Sequence, residues 1–244
     1  KNGSGELELG RLYDADKEAI ETMLHLPASY YSFTSKDNFI DYYPFIPYQF
    51  KLMLQVFNSF DALDYVNKQV RGTERSMINV THSTAMLTMN DEIGHFISFD
   101  QFFNTMFTGS LTYRGQKALG HADAIASAFT KDPAFAHRVV NVLFMVCNLD
   151  TVTQQTFPAS VDNVTTLLVR DLNTPKLELK HEVEEVTKFL CEKNVLQVIP
   201  AKGSLPETFQ FYTEDEIEVA TAPSDLRMIP LMCTGTPFSF ANDA

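Results

Sequence analysis

The sequence predicts a mostly α chain that closes on a short antiparallel hairpin. Three observations carry that reading. Apolar residues recur at helical spacing in one segment after another, the pattern that lines one side of a helix. The chain has 20 Phe and 9 Tyr but no Trp, which supplies bulky side chains for a tightly packed helical core. Near residue 196 the apolar period switches from 3.6 to 2, the change expected where helix gives way to strand. With 244 residues and 45% apolar content, the chain can build one large domain or two small ones with a real core.

Residues 11–25 read as the first helix, with Leu12, Ala19, Ile20, Met23 and Leu24 on one side. The stretch 30–43 is polar and aromatic and reads as irregular. Pro44 and Pro47 punctuate the next start, and Pro47 suits a first helical turn, where its missing N–H is not needed. From 48 to 60 the chain is apolar nearly all round (Phe50, Leu52, Met53, Leu54, Val56, Phe57, Phe60), which predicts a buried helix. Residues 61–70 read as another short helical segment.

Gly72-Thr73 opens a new helix, with Thr73 as N-cap and Glu74 placed to favour the helix dipole. Met77, Val80, Ala85 and Met86 follow at roughly helical spacing. Residues 99–108 form a short amphipathic helix through Phe102, Phe103, Met106 and Phe107, and 112–129 form another with an Ala-rich end. Asp132-Pro133 begins a strong helix, in which Phe135, Val139, Val142, Leu143, Val146 and Cys147 repeat in register.

The last third changes character. Val161, Val164, Leu167 and Leu168 mark a short helix, and Asn173-Thr174-Pro175 a turn. Leu179, Val183, Val186 and Leu190 mark a longer helix that Asn194 ends. Residues 196–199 read as one strand and 209–212 as a second, with a loop between and Thr213 capping a final acidic turn. Two helices followed by a two-stranded hairpin are the outline of a winged helix. The domain reading is therefore a helical domain over 1–155, a winged-helix-like α+β domain over 156–220, and an unplaced tail over 221–244.

Composition narrows function. A net charge of −12 repels nucleic-acid phosphate and argues against broad DNA coating, leaving only a local basic patch open. Cys147, Cys191 and Cys233 match no zinc spacing and form no CxxC, so they read as small hydrophobes of a reducing compartment. No signal peptide or membrane-length apolar run is present, which places the chain in the cytoplasm and off the membrane. The opening Lys1-Asn2-Gly3-Ser4-Gly5, without an initiator Met, points to a piece of a longer polypeptide.

Catalytic signatures are missing. There is no G-x-x-x-x-G-K-[ST] or G-x-G-x-x-G phosphate loop, no H-E-x-x-H and no G-x-S-x-G. The six His are scattered, and the acid pairs Glu184-Glu185 and Glu214-Asp215-Glu216 fall on predicted exposed faces. No metal site, cofactor or catalytic residue is assigned to this chain.

One segment stands above this background. Arg71-Gly72-Thr73-Glu74-Arg75-Ser76-Met77 puts Arg75 in the first turn of a helix after a Gly-containing turn, where a guanidinium can reach an anion in bidentate fashion. A salt bridge or cap support is the structural alternative. The helix over 180–194 takes the place of a recognition helix. Its outward Lys180, Lys188 and Lys193 are the candidates for touching DNA, but Glu182, Glu184 and Glu185 among them argue against a groove reader.

Tyr43-Pro44-Phe45-Ile46-Pro47-Tyr48-Gln49-Phe50, followed by Gly72-Thr73-Glu74-Arg75-Ser76-Met77, resembles a paired signature of a large bacterial P-loop ATPase family, called BrxC or PglY, of BREX-type phage-defence systems. There the pair reads approximately F-I-P-Y-Q-F and G-E-R-S-M, and this chain departs by Thr73 between Gly and Glu. The Leu167-Leu168 helix, the helix from Val183 to Leu190 and the segment Phe209-Gln210-Phe211-Tyr212-Thr213-Glu214-Asp215-Glu216 resemble that family more weakly. The resemblance spans roughly residues 40–220. It implies a nucleotide-binding core upstream, outside this chain, with ATP and Mg bound there. It implies that 1–155 is the helical lid of an AAA+-like module and that Arg75 takes a sensor role towards the γ-phosphate. The function so implied is a non-catalytic regulatory and interaction portion of the ATPase, which couples nucleotide state to the parent's own core and to other defence-system proteins. Two alternatives stand beside it: a winged-helix module that selects DNA, and a helical scaffold in which Arg75 only ties helices together.

Overall fold

Asp132 and Pro133 start a helix that is buried through most of its length. The Asp132 carboxylate accepts from the Phe135 N–H at 2.9 Å, and Pro133 brings no N–H to satisfy. In the computed structural model, which describes residues 3–27, 29–67, 74–107, 109–213 and Glu216, this helix is the seventh of ten. The order is α1 (Gly3–Met23), α2 (Lys36–Tyr42), α3 (Pro47–Ala62), α4 (Glu74–Leu87), α5 (Phe99–Phe107), α6 (Tyr113–Ala126), α7 (Pro133–Cys147), α8 (Thr151–Thr156), α9 (Val161–Leu168), α10 (Lys176–Glu192), β1 (Leu196–Ile199) and β2 (Thr208–Phe211).

α7 is central because Phe135, Ala136, Val139, Val140, Val142, Leu143, Phe144, Met145 and Val146 are all buried, against α5, α6, α9, α10 and β2. Aromatic rings fill the space. Phe60 stacks on Phe107 at 4.6 Å and meets the edge of Phe144 at 5.3 Å, and Phe144 meets Phe211 at 6.0 Å. Such pairs add about 0.5–1.5 kcal/mol each beyond simple burial. A second ring cluster, Tyr13, Phe33, Phe39, Tyr43 and Phe96, fastens α1 and α2 to the segment before α5. One hydrophobic core cluster takes in buried residues from Leu9 to Phe209, on both sides of residue 155.

The two strands pair antiparallel, with Leu196 opposite Phe211 and Val198 opposite Phe209. The hairpin is tied down by three bonds. Phe209 N–H donates to Ala159 C=O at 3.0 Å, Tyr212 N–H donates to Val195 C=O at 3.1 Å, and the Cys147 thiol donates to Phe209 C=O at 3.2 Å.

Several expectations are corrected. The first helix begins at Gly3 rather than 11 and is interrupted at Asp16 (φ −115°, ψ 17°), with Leu9, Gly10 and Tyr13 buried before the break and Ile20 and Met23 after it. The stretch expected to be irregular contains α2, started by the Ser35 hydroxyl accepting from Asn38 N–H at 3.1 Å and driven by fully buried Phe39. α3 is not apolar-buried all round, since Leu54 is exposed. The helical segment expected from 61 does not form over its described part. α3 ends at Ala62, Asp64 adopts φ 56°, and Val66 pairs in a β-bridge with Leu111; residues 68–70 lie outside the described residues. The short helix α8, which periodicity did not show, is begun by Asp150. Thr73 as N-cap, and the tail from 221, also lie outside the described residues.

Candidate functional site

Arg75 lies in the first turn of α4, and its side chain lies outside the described residues. The outward side of α4 beyond it is mixed, with Asn79, His82 and Ser83 exposed beside apolar residues. Ile78, Met86 and Leu87 are exposed, as are Met89 and Ile93 just past the helix, while Val80 and Thr84 face the core. Clustered exposed apolar side chains cost solvation unless a partner covers them.

The three candidate lysines of α10 are not brought together. Lys180 is 2.7 Å from Asp162 in the first turn of α9, and that bond raises its pKa. Lys188 is exposed, and Lys193 caps the helix with its ammonium 5.7 Å from the Phe189 ring. Glu185 on the same helix pairs with Lys131. The α10 surface is thus mixed in charge and partly engaged in joining helices.

A buried ion network escaped the sequence reading. Asp100, only 2% exposed, sits in the first turn of α5. It accepts from Arg138 Nε of α7 at 3.1 Å, from Arg170 Nη2 at 3.2 Å and from the Ser98 hydroxyl at 2.5 Å. Arg138 also donates to Leu168 C=O at 3.0 Å, so the network locks α5, α7 and the end of α9 together. Burial and the neighbouring Arg138 charge pull the Arg170 pKa down, with Asp100 opposing. An acid inside the apolar run Phe99-Asp100-Gln101-Phe102-Phe103 was the available signal.

The family-like motif at 43–50 also acquires a structural role. Gln49 is fully buried. Its Oε1 accepts from Ile46 N–H at 3.0 Å and its Nε2 donates to Ile97 C=O at 2.5 Å. Tyr43 accepts from Gly94 N–H at 2.9 Å, and Ile97 N–H donates to Pro44 C=O at 3.0 Å. The motif therefore stitches the start of α3 to the chain entering α5.

A recess lies where α6, the end of α7 and β2 meet. It is a cleft of about 640 Å³ lined by Arg114, Lys117 and His121 of α6, by Tyr65 and Phe144 at its base, and by Gln210 to Thr213 on the far wall. Its geometry starts at Thr112, whose hydroxyl accepts from Gly115 N–H at 3.2 Å and donates to Asp64 C=O at 2.7 Å. Gly115 is needed at this contact because an added Cβ would lie 2.6 Å from Tyr65 C=O. That close approach lays the first turn of α6 against Tyr65, whose ring stacks on Phe144 at 5.6 Å and 9°. Burial raises the Tyr65 pKa, and the Arg114 charge pulls it the other way. Burial also raises the Cys147 pKa, so its thiol is not an activated nucleophile.

Among the described residues no group of three His, Cys, Asp or Glu stands close enough to hold a metal ion, and no helix is long and apolar enough to cross a membrane. No family model and no solved structure matches this chain.

Proposed function

We propose that this chain is a non-catalytic regulatory and interaction portion of a large AAA+-like ATPase of a bacterial, BREX-type anti-phage system. Its helical part acts as a lid over the parent's nucleotide-binding core, and its helix-helix-hairpin end acts as a winged-helix-like module towards other proteins of the system. The observation that carries this reading is the set of exposed apolar residues on α4, which stands among exposed Asn79, His82 and Ser83. Ile78, Met86 and Leu87 lie on the helix whose first turn holds Arg75, which is the surface a lid presents to its core. Coverage of that surface by the core would transmit nucleotide state into α4 and from there, through α5, into the ring-packed centre. ATP and Mg belong to the parent's core in this reading. DNA reading by α10 is disfavoured by its mixture of Glu with Lys and by the engagement of Lys180 with Asp162.

The test is the double substitution Ile78→Glu, Met86→Glu in the full-length protein. Both side chains are exposed, so folding stability should change by no more than about 0.5 kcal/mol per site. ATP turnover should shift at least about threefold if the surface docks on the core. Turnover equal to that of the unsubstituted protein would remove the lid reading and leave α4 as a solvent-facing scaffold helix.

A further inference from the structure

A hydrogen-bonded row of Ser127, His137 and Asp123 spans the packed pair α6 and α7, and we infer that it is a surface esterase centre. Ser127 takes the acyl group of a small ester with a good leaving group and passes it to water. The inference concerns acyl transfer and not ATP, so it goes beyond the lid reading and does not rest on it.

Both helices build the row. Asp123 lies in the last turn of α6 and Ser127 is the residue that caps it, four positions on, so the two side chains stand on one side. α7 packs against α6 and brings His137 to that side. His137 Nδ1 lies 2.8 Å from Asp123 Oδ1, and His137 Nε2 lies 3.0 Å from Ser127 Oγ.

The roles follow from which atoms carry hydrogen. A carboxylate only accepts, so Nδ1 of the neutral ring holds the proton and donates it to Asp123. Nε2 keeps its lone pair, and the Ser127 hydroxyl is the donor to it. That is the tautomer and the bond direction a serine nucleophile needs. The hydroxyl has a second acceptor, the Asp123 C=O at 3.2 Å, and the contact with His137 is the shorter.

The row is open to substrate. Ser127 is exposed, and the residues one turn before Ser127 and His137 are Ala124 and Ala134, both exposed and without bulk. The side chains of Asp123 and His137 are 55% and 32% exposed. The same openness sets the substrate class. Water screens the site, which therefore stabilises an oxyanion only weakly, so the ester must bring its own reactivity. In the first step Ser127 Oγ bonds to the acyl carbon while its proton passes to His137 Nε2. Collapse breaks the bond to the leaving oxygen, which takes that proton. Water then adds to the acyl carbon, giving a proton to His137, and Ser127 Oγ departs with it. Ester and water become acid and alcohol. Ser127 and His137 are the catalytic residues, and Asp123 positions the ring.

The test treats the chain with an alkyl fluorophosphonate, which traps activated serines, and locates the adduct by peptide mass. Hydrolysis of p-nitrophenyl acetate is followed alongside. Ser127 should carry the adduct, and His137→Gln should slow its formation at least about tenfold, as loss of a positioned base requires. Asp123→Asn should also slow it, because a carboxamide can present an N–H to Nδ1 and favour the wrong tautomer, whereas Asp123→Glu keeps a carboxylate and should restore it. Ser127→Ala should lower nitrophenolate release. Melting temperatures are compared throughout; if His137→Gln fails to fold, the adduct on the unsubstituted chain and the Ser127→Ala hydrolysis rate still decide. The inference is overturned if Ser127 carries no adduct, if folded His137→Gln slows its formation less than about tenfold, if Asp123→Asn reacts as fast as the unsubstituted chain, or if Ser127→Ala hydrolyses the ester at the same rate.

Discussion

Gln49 joins the start of α3 to the chain entering α5 from a fully buried position. Its carboxamide satisfies the N–H of Ile46 and the C=O of Ile97, both in fully buried surroundings. Gln49→Met keeps the volume but orphans both backbone groups, which should lower unfolding free energy by about 2–4 kcal/mol. A shift of the urea midpoint at constant slope measures it; a loss below about 0.5 kcal/mol would show that the pair finds other partners. Tyr48 provides the control. Its buried hydroxyl has no partner among the described residues, so Tyr48→Phe should cost nothing. Two further residues act through backbone conformation. Asp64 and Asn194 both adopt left-handed φ, 56° and 55°, and end α3 and α10 in the same way. The next N–H, of Tyr65 or Val195, returns at 2.9 Å to the carbonyl of Phe60 or Leu190. Asn194 was legible as a stop because Asn tolerates that conformation; Asp64 serves the same purpose but reads in the sequence as one more helical acid.

At the level of elements, the sequence was most readable where a cap precedes a long apolar period. α7, α9, α10 and the hairpin fall within a few residues of expectation, because Asp132, the apolar period from Val161 to Leu168 and the switch of period near 196 are local signals. α2 and α8 were missed because seven and six residues are too few to establish a period, and their caps, Ser35 and Asp150, were the only signs. Asp150 allows a direct check of such a cap. Its carboxylate accepts from the Thr153 hydroxyl at 2.6 Å and from the Thr153 and Val152 N–H groups at 3.0 Å each. Its pKa is held below the usual carboxylate value, chiefly by the Thr153 hydroxyl and then by the Thr153 N–H. A depressed folded pKa means that the stabilisation is complete above the unfolded value of about 3.9 and is lost as pH falls through the lower folded value. Asp150→Asn keeps a cap without the charge. The stability difference between the two proteins should therefore be constant near neutrality and shrink below about pH 4. Denaturant unfolding across pH 2.5–7 reads it, and a difference that does not vary with pH would contradict the account.

For the molecule as a whole, helical class and hairpin were legible, whereas the candidate sites were legible only in part. Arg114, Lys117 and His121 are spaced for one side of a helix in the sequence itself, but Tyr65, Phe144 and Tyr212 join them only through the packing of α6 on α7 and β2. The Asp100 network likewise needs Arg138 and Arg170, tens of residues away, before its acid makes sense. Net negative charge left only a local basic patch open and could not say where one would lie. The exposed apolar residues of α4 are the feature on which the proposed lid role rests, and Arg75 lies in the first turn of the same helix. The measurement that tests this most directly is ATP hydrolysis by the full-length parent with and without Arg75→Ala, with melting temperatures compared. The account predicts a loss of at least about tenfold in turnover at unchanged melting temperature, because a lid arginine acts on transferring phosphoryl charge and not on folding. Unchanged turnover, or a loss that merely follows a drop in melting temperature, would contradict it.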